Sequence, residues 1–272
     1  MKRYRHYKKD KAIVLSCFGS VIEQQMYEDL KSEIEAEFDG IDVYLSFSSR
    51  MVLKDLHKRD IHYPNLPQLL ADIDLMGYKN IIVSSINLFP TDEHELLLRT
   101  VEGFRAFSYA NIRATKAIIS KTKESSLMLQ KLDSDITQDG CANLYVIHGV
   151  PVLDLAGLDA VGYSAKFLEL INPNNFSCSL EGAFPWYATK DAIIQNIKAK
   201  GFTKVQVVPM LLVSGNHYIK DMVEITDELS NDFEASIVPS LSRSDRFNLI
   251  ELQTIRDIIK QNIKEEIVKL GC

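Results

Sequence analysis

Short β-branched or apolar runs alternate along the chain with longer segments whose apolar residues recur at helical spacing. In the first part of the chain this pattern predicts strands at 12–18, 42–47 and 80–88 and helices at 24–38, 66–76, 92–120 and 125–136, with an interruption near Gly103 in the helix over 92–120. In the second part it predicts strands at 143–147, 176–180, 204–213 and 235–238 and helices at 187–200, 216–229 and 247–270. Such alternation is typical of parallel sheets covered by helices on both faces.

The pattern begins again halfway along the chain. GYKNIIVSSINLFPTDEHE at 77–95 and GFTKVQVVPMLLVSGNHYI at 201–219 share a helix-ending glycine, an aromatic residue, a long apolar strand and a polar loop. The first strands, AIVLSCFG at 12–19 and ANLYVIHG at 142–149, also correspond. The sequence therefore predicts an α/β fold of two similar halves, 1–138 and 139–272, with a cleft between them. Ligands of such sheets bind at the carboxyl ends of the strands.

Three ionisable residues follow predicted strands of the second half and stand beside or near a glycine: His148, Glu181 and His217. Taken singly, each has a simpler explanation as a hydrogen-bonded histidine or a helix-capping carboxylate. Together, two imidazoles and one carboxylate suit a divalent transition metal. Three protein ligands also leave coordination positions open for a substrate.

Composition narrows the class of protein. The chain is 46% apolar and 25% charged, as ordinary soluble globular proteins are. Its net charge of -6 disfavours nucleic acid as a partner. We expect no membrane association and a cytoplasmic location, because no apolar run approaches the roughly 20 residues of a membrane span and no signal peptide is apparent. The four cysteines form no metal-binding or redox motif, which favours a reducing compartment.

At this point the residues resemble a known family, the anaerobic chelatases that insert cobalt into sirohydrochlorin during cobalamin biosynthesis. The matching segments lie in the family's order over nearly the whole chain: AIVLSCFGS at 12–20, SFSSRMVLKDL at 46–56, GYKNIIVSSINLFPTDEHE at 77–95, VIHG at 146–149, LEGAFP at 180–185 and VVPMLLVSGNHYIKDM at 207–222. The resemblance implies two similar α/β halves with a cleft, in agreement with the duplication.

The resemblance also implies the function and the site. The substrates would be a tetrapyrrole and a divalent metal, Co²⁺ above all, bound by His148, Glu181 and His217. The two histidines would also be catalytic, since either could accept a pyrrole proton. Glu93 matches the glutamate of the family's first-half loop and is the internal counterpart of His217. We expect it to face the metal across the cleft, where it would take up protons or bind substrate.

Five further residues are candidates for binding the tetrapyrrole. Arg50 would pair with ring carboxylates, and Ser16 would donate a hydrogen bond to one of them. The apolar side chains at strand ends would cover the ring, although such positions more often belong to the core; they are Phe18, Phe89 and Met210.

The chain departs from the family at three places. The family's Gly-Leu-Gly-Glu segment is not obvious near Ser240–Arg243. His148-Gly149 is followed by Val150-Pro151 instead of a polar stretch, and the loop over 218–232 has changed. These changes leave two alternatives open: a non-catalytic protein that binds a metal or a tetrapyrrole, and a chelatase for Fe²⁺ or Ni²⁺. A periplasmic-type solute binder is disfavoured by the missing signal peptide. An oligomer is possible, but we expect the C-terminal helix to pack on its own half.

Overall fold

The computed structural model describes residues 5–215, 218–241 and 245–270. Within these ranges the first part of the chain contains four strands and four α-helices. In chain order they are β1 (Lys9–Cys17), α1 (Gln24–Glu37), β2 (Asp42–Phe47), α2 (Arg50–His57), α3 (Leu66–Met76), β3 (Tyr78–Ile86), α4 (Asp92–Arg105) and β4 (Asn111–Ala114).

The second part contains four more strands and five α-helices within the same ranges. In chain order they are α5 (Thr122–Ile136), β5 (Cys141–Ile147), α6 (Leu158–Ile171), β6 (Asn175–Ser179), α7 (Trp186–Ala199), β7 (Lys204–Met210), α8 (Val223–Leu229), β8 (Glu234–Ile237) and α9 (Gln253–Leu270). A π-helical turn, Tyr218–Met222, leads into α8.

The strands of the described ranges form two four-stranded sheets with the same topology. The first sheet has the order β2-β1-β3-β4 and the second has the order β6-β5-β7-β8. Every neighbouring pair is parallel. Since β1 to β4 correspond in turn to β5 to β8, the prediction of an α/β fold built from two similar parallel halves is confirmed.

Each sheet has its own apolar core. Ala12 and Val14 of β1 pack with residues of α3 and α4 in the first core, and Ala142 and Val146 of β5 pack with residues of α7 and α8 in the second. All residues from Cys141 to Ile147 are buried, because helices cover both faces of a parallel sheet. Burial of both faces explains why these strands are continuous apolar runs in the sequence.

The chain divides into two compact units that are not contiguous halves. The first unit comprises residues 1–118 and 256–272, and the second comprises 119–255. This division differs from the predicted halves, 1–138 and 139–272: α5 belongs to the second unit, and most of α9 returns to the first. The return is fixed by ion pairs, of which Glu33 of α1 makes two: to Arg256 at 2.7 Å and to Lys260 at 2.5 Å.

Several predicted elements need correction. The helix predicted over 92–120 ends at Arg105, and β4 follows it. The helix predicted over 247–270 begins as a 3₁₀ turn, Leu249–Glu251, before α9. Two helices were not predicted, α2 and α6. The predicted helix over 216–229 begins at residues outside the described ranges. Of its described part, Tyr218–Met222 is a π-helical turn and Val223–Leu229 is α-helical.

Membrane crossing by helices and the reactivity of thiols can both be assessed for the described residues. No helix in the described ranges is long and apolar enough to cross a membrane. Cys17, Cys141 and Cys178 are buried free thiols, and burial raises the pKa of each. Thiols of this kind behave as small apolar side chains and are poor nucleophiles.

Candidate functional site

The carboxyl ends of β5 and β6 bring His148 and Glu181 into neighbouring loops. The two strands are parallel, and their last residues, Ile147 and Ser179, lie opposite each other in register. Backbone pairing continues past the strands, because Leu180 N donates to Ile147 O at 2.9 Å and Glu181 N donates to His148 O at 3.1 Å. The backbones of these two predicted ligands therefore lie at one edge of the sheet, as expected from their positions after parallel strands.

Two glycines allow these loops to approach each other. Gly149 has φ +76°, and a Cβ at this position would lie 1.9 Å from Glu181 O. Gly182 has φ +89°, and a Cβ there would lie 2.5 Å from Val150 O. Each glycine thus supplies both a left-handed backbone and the absence of a side chain. The His148 and Glu181 turns are locked backbone to backbone by this reciprocal contact.

The half-buried His148 ring is oriented by its own loop. Its Nδ1 lies 3.2 Å from Gly149 O. A carbonyl oxygen only accepts, so Nδ1 carries the proton and the lone pair of the neutral ring is on Nε2. This is the usual tautomer of a metal-binding histidine whose other nitrogen is hydrogen-bonded to the backbone. Glu181 is exposed, so its carboxylate can reach a ligand without the cost of burying a charge.

The third predicted ligand, His217, lies outside the described residues, as does its neighbour Asn216. The described chain on either side is well anchored. Ser214 N donates to Asn248 Oδ1 at 2.6 Å, and Ser214 Oγ donates to Phe247 O at 2.9 Å. Met222, at the end of the π-helical turn, is fully buried. Among the described residues, no three His, Cys, Asp or Glu side chains converge on a point that could hold a metal ion.

Glu93 lies at the corresponding edge of the first sheet. It belongs to the first turn of α4, where the helix dipole favours a carboxylate. Ser48, which directly follows β2, donates from Oγ to Glu93 Oε2 at 2.6 Å. Sequence reasoning missed Ser48 because only ionisable residues after strands were considered; the same rule applied to hydroxyl groups finds it.

The neighbouring His94 is buried and was also missed. Its Nδ1 lies 2.8 Å from Ser85 Oγ, which also accepts a hydrogen bond from Asn87 Nδ2 at 3.0 Å. Burial lowers the pKa of His94, and the nearby Glu95 offsets this only in part. A neutral imidazole at this position ties the start of α4 to the end of β3 and leaves Glu93 on the more exposed side.

The residues predicted to bind the tetrapyrrole differ in their accessibility. Phe18, which follows β1, is 44% exposed, and Arg50, the first residue of α2, is also exposed. The other three are almost completely buried: Ser16, Phe89 and Met210. In the described structure, Phe18 and Arg50 are therefore the members of this set that a ligand can reach without rearrangement of the protein.

Comparison with solved structures identifies the fold first. The structure of SirB from Bacillus subtilis with Fe³⁺ superposes with a TM-score of 0.68 over 96% of this chain and 97% of that chain, at 17% identity. SirB from Bacillus subtilis subspecies spizizenii in complex with cobalt gives 0.62 over 94% of both chains, at 14% identity. CbiX, described as the terminal enzyme of sirohaem biosynthesis in denitrifying bacteria, gives 0.55. The fold is that of the chelatases.

Sequence comparison then gives the family. The sirohydrochlorin cobaltochelatase of Salmonella typhimurium is 23% identical over 235 residues, which cover 85% of this chain and 87% of that protein. The sequence model of the family Cobalt chelatase (CbiK) matches residues 11–268. This chain belongs to the cobalt chelatase (CbiK) family. The predicted family and the predicted class of enzyme, a metal-ion chelatase, are confirmed.

Proposed function

We propose that this chain inserts Co²⁺ into sirohydrochlorin and that His148, Glu181 and His217 bind the ion during insertion. The observation that carries the proposal is the reciprocal glycine packing that fixes the His148 and Glu181 turns side by side, in a chain of the cobalt chelatase family. A family relative acts on sirohydrochlorin by name, which supports this tetrapyrrole as the substrate.

Insertion exchanges two pyrrole N–H protons for one divalent ion, so the enzyme must hold a metal and remove protons. Neutral imidazole nitrogens and one carboxylate bind the ion without neutralising it completely, and open coordination positions admit the pyrrole nitrogens. A histidine that leaves the metal can accept a proton. Because imidazole must be unprotonated to bind metal, we expect the rate of insertion to fall in acidic solution.

The first experiment is a visible-absorbance assay with sirohydrochlorin and Co²⁺. We expect wild type to form the metallated ring over many turnovers, and His148→Ala, Glu181→Gln and His217→Ala each to lower kcat/KM by about a hundredfold or more, since loss of positioning at a reacting centre has effects of this size. His6→Ala is the matched control, because His6 is exposed and hydrogen-bonds only to Asp74 O in the described contacts. A stoichiometric spectral shift without turnover would show that the protein binds its ligands but is not an enzyme.

The metal is tested in the same assay with Fe²⁺ and Ni²⁺. We expect the highest kcat/KM with Co²⁺. Sites of this ligand type follow the general divalent affinity order, so selectivity must come from geometry and metal supply. A higher kcat/KM with Fe²⁺ or Ni²⁺ would leave the chelatase in place and change its metal.

Glu93 is proposed as an acceptor of pyrrole protons, positioned by Ser48. Glu93→Gln retains a side chain that can accept the Ser48 hydrogen bond but removes the basic carboxylate. We expect a fall in kcat of about a hundredfold or more, the usual contribution of a general base. Ser48→Ala leaves the carboxylate and removes its support, so we expect a smaller loss. Equal activity of Glu93→Gln and wild type would exclude this role.

A further inference from the structure

Two exposed histidines outside the proposed active site lie close together. His57 ends α2 and His62 lies five residues further on, in the connection to α3. Their Nδ1 atoms are 3.0 Å apart, and their ring planes meet at 68°. Two nitrogens at about 2.1 Å from one ion are about 3.0 Å apart when they subtend a right angle at it. We propose that His57 and His62 form a second site for a divalent first-row transition metal.

The turn that follows α2 brings the two rings together. Ile61 N donates to Leu56 O and Asp60 N donates to His57 O, both at 3.0 Å. These are the two hydrogen bonds of a Schellman motif, with Asp60 at the left-handed position. The motif reverses the chain tightly enough for His62 to return to the end of α2.

Asp60 is an unusual residue for this position. Its φ is +61°, and among the described residues it alone has a positive φ without being glycine. A side chain in this conformation is strained, whereas glycine adopts it freely. The side chain present, however, has a partner: Asp60 Oδ1 lies 3.2 Å from His62 Nε2. Glycine would avoid the backbone strain at this position, but only aspartate supplies the contact to His62 Nε2.

This contact prepares His62 to bind a metal. A carboxylate accepts a hydrogen bond, so His62 Nε2 carries the proton and the Nδ1 lone pair points to His57. A carboxylate behind a ligating histidine fixes the tautomer and the orientation of the ring. In the metal-free protein, His57 Nδ1–H donates to that lone pair. When an ion takes the place of the hydrogen between the two Nδ1 atoms, His57 changes tautomer and its proton moves from Nδ1 to Nε2. Both rings stay neutral.

Two neighbouring cations have hydrogen-bond partners of their own. Lys58 Nζ is paired with Asp55 at 2.7 Å, and Arg59 Nη1 donates to Val21 O at 3.0 Å. Both histidines are exposed, so small rotations of the rings can direct the two lone pairs to one point and water can complete the coordination. Imidazole ligands of this kind suit Co²⁺, Ni²⁺, Cu²⁺ and Zn²⁺.

The test measures metal binding by the full-length protein without a tetrapyrrole. In the His148→Ala/His217→Ala variant, which lacks the two proposed histidine ligands of the active site, equilibrium dialysis against Co²⁺ and against Ni²⁺ should still find one ion per chain. Adding His57→Ala or His62→Ala should abolish this binding. Asp60→Gly should lower the affinity by about 10- to 100-fold, the usual effect of losing a carboxylate behind a ligating histidine, while retaining the turn.

Two controls separate this site from the active site. His6→Ala in the same background should bind the ion unchanged, because His6 is exposed but has no second histidine among its described contacts. His57→Ala in the otherwise wild-type protein should insert Co²⁺ at an unchanged rate when the metal is saturating. The proposal is overturned if the His148→Ala/His217→Ala variant binds no ion, or if its binding survives loss of His57 and His62.

Discussion

Gly149 and Gly182 let the two turns pack closely because they have no side chain and because glycine readily adopts a positive φ. A side chain at Gly149 would enter the position of Glu181 O, and one at Gly182 would meet Val150 O. Neither contact can be relieved by rotating a side chain, since the opposing atoms belong to the backbone. The relative position of His148 and Glu181 is therefore set by two glycines, which have no side chain that could bind a metal or react.

Replacing Gly149 tests this point, and Gly140 provides a matched control. Both have a positive φ, +76° and +73°, but no atom lies within 4 Å of a Cβ built at Gly140. We expect Gly140→Ala to lower the free energy of unfolding by about 1 kcal/mol, the usual penalty of a left-handed residue, and to leave chelation unchanged. Gly149→Ala should destabilise the protein by more than that and reduce kcat/KM about a hundredfold. Urea unfolding and the absorbance assay measure the two effects; similar losses in both variants would contradict the proposed packing.

Much of the site could be predicted at this scale, because parallel strands place the residues that follow them at one edge of a sheet. That rule located His148 and Glu181 from the sequence alone. It gave no sign of the loop-to-loop contact, since the sequence shows a glycine but not the atom it faces. No helix was predicted at Arg50, whereas it starts α2, which has only eight residues and a single buried residue, Leu56.

Helix α4 is positioned by a polar contact at its first turn. His94 lies 6% exposed beneath that turn and is joined to Ser85 of β3. The sequence predicted the start of α4 correctly, from its acidic first turn and the preceding polar loop. The interruption predicted near Gly103 lies close to the observed end of α4 at Arg105. Strand β4 was not predicted, because it has only four residues and no continuous apolar run.

The buried His94 makes a prediction about pH. Burial lowers its pKa below the ordinary 6.5, so the unfolded chain binds a proton more readily than the folded protein. The contribution of His94 to stability is therefore complete above about pH 6.5 and is lost as the pH falls through its lowered pKa. We expect the free energy of unfolding from urea titrations to fall between pH 7 and pH 5.

His94→Gln removes the titrating group. At pH 8 it should cost about 1 kcal/mol through the weakened hydrogen bond to Ser85, and it should reduce the dependence on pH. His6→Gln, at an exposed position, should retain the wild-type slope. An unchanged slope in His94→Gln would show that the loss of stability has another origin.

At the scale of the whole molecule, the two compact units are not two successive halves of the chain. The sequence predicted two similar halves, because a repeat of strands and helices shows where a pattern begins again. Repetition does not show which unit a terminal helix joins. The apolar face of α9 fits either sheet in pattern alone, and its ion pairs with α1 and β4 bring it to the first unit: Arg256 and Lys260 with Glu33, Lys264 with Glu37, and Arg113 with Glu266.

The effect of these pairs is clearest at Glu33, whose side chain is 23% exposed. Burial raises the pKa of this carboxyl, but hydrogen bonds from Lys260 and Arg256 outweigh it and hold the pKa below its ordinary value. Without α9, this partly buried carboxylate would lose both cations. Removing the partners of a fully buried charge costs about 3–5 kcal/mol, which is the upper limit for Glu33. The apolar contacts of Ile259 and Ile263, both fully or almost fully buried, would be lost as well.

Fragments of the chain therefore should not behave alike. Residues 119–255 are contiguous and contain a complete sheet with its helices, so we expect this fragment to unfold cooperatively in urea. Residues 1–118 lack α9, and we expect no cooperative transition from them. Joining 1–118 to 256–272 through a flexible Gly/Ser linker should restore one, because the linker returns the cations and the apolar face that the first unit needs. If 1–118 alone unfolds as cooperatively as the joined fragment, α9 is an attachment to a stable unit. If only the joined fragment does so, the first unit is completed by the last residues of the chain.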